Sequence, residues 1–150
     1  MTIKVIDGSF DPLDEIRQIE QKIFSSRASI GASSFFIGSM RDFNEGDSVQ
    51  SMFLEHYAGM TEKRLEDIAK EAVLKWNLDS VLVVHRVGLV HPGDPIVLVA
   101  VWSTHRAQAF DSCRNIMEQL KSTAPFWKRE SSNGSVRWVK NNTSGYSEDA

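Results

Sequence analysis

Basic side chains set among aromatic rings are the part of this sequence best equipped for chemistry. From Lys121 to Lys140, five basic residues (Lys121, Lys128, Arg129, Arg137 and Lys140) stand against one acid, Glu130, a local balance of +4. Phe126, Trp127 and Trp138 are interleaved with them. A second basic point, His105-Arg106, follows an expected strand and opens an expected helix. Free backbone N–H groups and the helix dipole already favour an anion there. Arg41 forms a third, just after a strand ending in Gly38-Ser39-Met40 and at the mouth of a loop. Singly, each is an ordinary solvated charge. Three such points, each at a strand or helix end, fit a small phosphate-bearing ligand held by charge-assisted hydrogen bonds.

Other chemistries lack their residues. No glycine-rich phosphate loop and no Gly-x-Ser-x-Gly elbow occurs. His56, His85, His91 and His105 show no metal-ligand spacing, so no metal site is expected. Cys113, the single cysteine, falls on the apolar stripe of a helix and reads as a small buried hydrophobe.

The elements that position these residues follow from periodicity. Thr2 to Ile6 is a short edge strand. Asp11-Pro12 opens a helix with Leu13, Ile16, Ile19 and Ile23 as its stripe. Gly31 to Met40 and Val49 to Tyr57 read as two strands of a hairpin joined by a long loop. Thr61 to Trp76 is an amphipathic helix facing inward with Leu65, Ile68, Ala69, Ala72, Val73 and Trp76. Two β-branched strands follow, Ser80 to Val87 and Pro95 to Thr104. The helix from about His105 to Ser122 buries Ala109, Phe110, Cys113, Ile116, Met117 and Leu120, and Pro125 ends it. Phe126 to Glu130 and Val136 to Lys140 flank Asn133-Gly134, a hairpin turn. This pattern predicts an α+β domain over 1–140, its mixed or antiparallel sheet covered by helices, with a polar tail at 141–150.

Composition agrees. The 150 residues carry 17 Lys+Arg against 20 Asp+Glu, for a net charge of −3, which gives no general attraction to nucleic acid or acidic membranes. The longest apolar stretch, Pro95 to Trp102, is far short of the ~18 residues that span a bilayer. No apolar leader is visible near the N-terminus, and the expected location is cytoplasmic.

The strings GASSFFIGSMR, LEHYAGM, HRVG, STHR, AFDSCRNIMEQLK and PFWKRE, in that order, closely resemble the large, catalytic subunit family of molybdopterin synthase. Arg129 stands where that family often carries lysine, which preserves the charge. The resemblance implies an α/β hammerhead fold and a sulfurtransferase that uses no metal or dissociable cofactor. The implied reaction converts cyclic pyranopterin monophosphate (precursor Z) into molybdopterin. Two sulfurs come from the C-terminal thiocarboxylate of a small ubiquitin-like subunit. The implied assembly is a homodimer of large subunits within a heterotetramer. Lys121 and Lys128 match the family's two active-site lysines. A lysine beside a second cation in a partly desolvated site can serve as acid, base or nucleophile. Arg41, His105 and Arg106 match substrate-pocket residues, and Ser39, Met40, Arg129 and Glu130 adjoin these motifs as further contacts. For Glu130, an ion pair that orients Lys128 is an equal alternative. Two other classes fit parts of the pattern: a non-catalytic binder of a ubiquitin-like tail, and a single-strand nucleic-acid module stacking bases on Phe126, Trp127 and Trp138.

Overall fold

The computed structural model describes residues 1–44, 47–48, 50–132 and 135–138. In chain order its elements are β1 (Thr2–Asp7), α1 (Pro12–Lys22), a 3-10 segment (Phe24–Ser29), β2 (Ala32–Ser39), β3 (Phe43–Asn44), β4 (Asp47–Ser48) and β5 (Ser51–His56). There follow α2 (Met60–Trp76), β6 (Ser80–Val90), β7 (Pro95–Ser103), α3 (Arg106–Thr123), β8 (Phe126–Ser132) and β9 (Ser135–Trp138). The expected tail at 141–150 lies outside the described residues.

The antiparallel pair β6–β7 is the centre, with Ser80 opposite Trp102 and His85 opposite Val97. Side chains alternate across a strand. Val81, Val83, Val97, Val99 and Val101 therefore join the core beneath α2 and α3. Leu82, Val84, Leu98, Ala100 and Trp102 join the core beneath α1. Helices on both faces explain why these strands read as unbroken apolar runs. Each fully buried Val or Leu contributes about 1.5–3 kcal/mol relative to exposure.

The sheet runs β2-β7-β6-β5-β8-β9, with β1 also on β6. Among the described residues, the β1–β6 pair is parallel and the other pairs antiparallel, so the sheet is mixed, as expected. The expected hairpin between the second and third long strands is not formed. β2 pairs with β7, whereas β5 pairs with β6 and β8. Strand signals fixed the segments but not their neighbours, because pairing is decided by long-range burial that a local pattern does not carry. β1 and β5 share one side of β6, β1 along Leu82 to Val87 and β5 along Gly88 to Val90. Gly88 makes the handover at φ +84°, where a Cβ would press on the Asp7 carboxylate, so glycine is required.

Asp11 caps α1, its carboxylate accepting from the N–H groups of Leu13 and Asp14. Ile16 and Ile19 are buried, but Leu13 is 61% exposed and leaves the expected stripe. On α3, Ala109, Cys113, Ile116, Met117 and Leu120 are buried, while Phe110 is 66% exposed. At 100° per residue, both exceptions fall at the edge of their buried stripe.

Candidate functional site

Lys121 occupies the last turn of α3, where a cation complements the helix dipole. The chain then turns sharply into β8. The Ala124 N–H bonds to the Leu120 carbonyl at 3.2 Å and the Phe126 N–H to the Ala124 carbonyl at 2.9 Å. From α2, the buried Thr61 hydroxyl donates to the Pro125 carbonyl at 3.2 Å, and Arg64 Nε to Thr123 Oγ1 at 3.1 Å. β8 pairs antiparallel with β5, which puts Phe126 opposite His56 and Lys128 opposite Leu54. Both lysines are half-buried.

His85, on β6, feels the charge of both. It is only 7% exposed, and its ring stacks on Phe126 at 3.8 Å between centroids and 15° between planes. Its Nδ1 lies 2.7 Å from the Arg86 carbonyl oxygen. A carbonyl only accepts, so Nδ1 carries the proton in that contact. Burial pushes the imidazole down to about 3, partly opposed by the Arg86 hydrogen bond. The nearby charges of Lys121, Lys128 and His56 are part of that lowering. The two lysines, one on each side of the α3–β8 turn, thus both act on one neutral, buried imidazole. The sequence reading missed His85 because it weighed this histidine only as a metal ligand. Its signal was its place inside an apolar strand, two residues before the Val87-Gly88 step.

Arg41 is exposed at the end of β2. Its neighbour Met40 is buried with Met52, Leu54 and Val90. Met40 is fixed through its backbone: its N–H donates to the Asp94 carbonyl at 3.0 Å, and its own carbonyl accepts from Gly93 at 2.8 Å. The Asp94 carboxylate in turn holds the buried Arg86 at 3.2 Å. Arg41 therefore departs from a pinned point, at the same end of the sheet as the lysines. Ser39 is exposed opposite Pro95. Arg129 and Glu130 lie on β8 opposite Phe53 and Met52.

His105 and Arg106 stand elsewhere. Both are exposed at the start of α3, with the Ser103 hydroxyl donating to the His105 carbonyl at 2.7 Å. At Gly31 a Cβ would overlap the Thr104 carbonyl oxygen, so only glycine lets β2 begin beside this turn. From His105 to Lys121 the helix is continuous, a rise of about 24 Å. Along β7 the same gap, from Val97 beside His85 to Ser103, is about 20 Å. One chain brings together Lys121, Lys128 and His85, but not His105 and Arg106. A cleft of about 210 Å³ lined by Glu20, Ile23, Arg27, Ile30, Ser33 and Trp102 contains none of these residues. Among the described residues, no cluster of His, Cys, Asp or Glu could hold a metal, and no helix is long and apolar enough to cross a membrane.

The fold is an α+β domain whose mixed sheet has Lys121 and Lys128 towards one end and the exposed His105-Arg106 step towards the other. The chain belongs to the MoaE protein family, whose model matches residues 9–123. It is 49% identical over 138 residues to the molybdopterin synthase catalytic subunit of Ralstonia nicotianae, covering 92% of this chain and 76% of that one. It is 46% identical over 140 residues to the subunit of the same name from Pseudomonas aeruginosa, covering 93% and 91%. The crystal structure of molybdopterin synthase from Staphylococcus aureus superposes with a TM-score of 0.80 at 28% identity, covering 92% of this chain and 96% of that one.

Proposed function

We propose that this chain, over 1–140, transfers two sulfurs to precursor Z as the catalytic subunit of a cytoplasmic molybdopterin synthase. The sulfur comes from a small ubiquitin-like subunit bearing a C-terminal thiocarboxylate. The observation that carries this reading is the placing of Lys121 and Lys128 on either side of the α3–β8 turn, both lowering the pKa of buried His85, in a chain whose relatives are named for that role. One lysine polarises the thiocarboxylate carbonyl as sulfur leaves it. The other moves protons as water is lost from the pterin side chain. Arg41, His105 and Arg106 hold the phosphate and the polar pterin edge, with Ser39, Arg129 and Glu130 beside them. Met40 contributes backbone only, since its side chain is in the core.

The gap along α3 requires a second copy to complete the site. A two-fold dimer brings the start of one α3 to the end of its partner's. The edge strand β2 fits such an assembly, with Phe35, Phe36 and Ile37 each about 40% exposed. The test is incubation with precursor Z and a thiocarboxylated small subunit, followed by detection of molybdopterin. Product should form, and Lys121→Ala or Lys128→Ala should cut its rate by about a hundredfold or more while small-subunit binding persists. Tail binding without any product would identify a non-catalytic binder instead.

A further inference from the structure

We infer that His85 is a positioning residue for the lysine pair, acting through its stack on Phe126 to fix the α3–β8 turn that separates Lys121 from Lys128. The inference rests on the lysine reading above. Phe126 lies between the two lysines in the chain, as the first residue of β8 after α3 has ended. Any shift of the turn changes where one lysine stands relative to the other. The turn is gripped from two sides. On one, Thr61 and Arg64 of α2 bond to Pro125 and Thr123. On the other, His85 presents a flat ring at 3.8 Å to the Phe126 ring.

His85 is itself fixed. It sits on the central strand between Val5 of β1 and Val97 of β7, and its Nδ1–H is tied to the Arg86 carbonyl. A buried ring with one nitrogen committed to the backbone is suited to hold geometry rather than to carry protons. A flat, neutral ring is also the side chain that can lie against Phe126 beside two ammonium groups without adding a third charge. Displacing reacting groups by about 1 Å can lower turnover by about a hundredfold, so a loose turn is read directly in kcat.

The experiment compares His85→Phe with His85→Leu in the assembled synthase. Both side chains are apolar and both remove the Nδ1–H, so both lower the melting temperature. Only Phe keeps a flat ring over Phe126. His85→Leu should lower kcat by about tenfold or more with KM for precursor Z within about threefold. His85→Phe should recover most of that loss. Phe126→Leu attacks the same contact from the other ring. It should match His85→Leu, and the double variant should be no slower than either single one, since coupled residues are non-additive. Wild-type kcat in His85→Leu, equal loss in His85→Phe and His85→Leu, or fully additive losses in the double variant would each overturn the clamp. Lys121→Ala and Lys128→Ala run alongside. Near-normal turnover in those would overturn the lysine reading and the clamp with it, whereas inactive lysine variants beside a fully active His85→Leu would overturn the clamp alone.

Discussion

Arg106 is the residue whose proposed role is most separable from the fold. It is exposed at the first position of α3 and supports no core contact. Arg106→Ala should weaken precursor Z binding by about ten- to a hundredfold, the worth of one charge-assisted hydrogen bond of about 1.5–3 kcal/mol. Small-subunit affinity should barely move. Unchanged substrate affinity in a direct titration would remove Arg106 from the phosphate site. His85 makes a prediction of another kind. Its imidazole has an ordinary value of 6.5 and is lowered to about 3 in the folded chain. Between these values the unfolded chain takes up a proton that the folded chain refuses. The stabilisation is complete above about pH 6.5 and is lost as pH falls, by up to about 1.4 kcal/mol per unit until about pH 3. In urea unfolding, wild type should lose about 2 kcal/mol more than His85→Phe between pH 7 and pH 5. Equal losses would mean that His85 is not held neutral by burial.

At the scale of elements, the end of β2 is anchored by the β6–β7 turn. Asp94 carries the anchor: its carboxylate accepts from Arg86 Nη1 at 3.2 Å and from the His91 N–H at 3.1 Å, while its carbonyl takes the Met40 N–H. Asp94→Ala strands a buried guanidinium and should cost about 2–3 kcal/mol, seen in the midpoint of denaturant unfolding. A shift below half that would show that the Arg86 contact to the Leu89 carbonyl suffices. Helices and strands were largely legible in the sequence, because Asp11, Pro125 and the valine-rich runs mark ends and interiors by local chemistry. The partners of β2 and β5 were not. Both strands are paired across long sequence separations, and nothing within either segment says which edge it joins. The lysines and the His-Arg step were legible as a resemblance carried by motifs. His85 was not, since its meaning depends on Phe126 arriving from forty residues away, as ring contact and not as spacing.

For the whole molecule, the distance along α3 carries the proposal that two copies share each site. An inactive Lys121→Ala chain mixed with an inactive Arg106→Ala chain should regain activity. Each mixed dimer restores one complete site of two. Absence of recovery after verified subunit exchange would place the whole site within a single chain.

The order of strands along the chain bears on how the protein is made. Thr2 pairs with Leu82, Ala32 with Ser103 and Leu54 with Gly88. During synthesis β1, β2 and β5 all emerge before the strands they pair with. At roughly 5–20 residues per second, β1 waits several seconds for β6. Until then its backbone and the Phe35-Phe36-Ile37 run of β2 are open to any other unpaired strand nearby. The β6–β7 hairpin closes locally and then receives the waiting strands from both sides. The nascent chain is thus most exposed to aggregation just before the hairpin appears, and the pace of translation through β6 and β7 sets how long that exposure lasts.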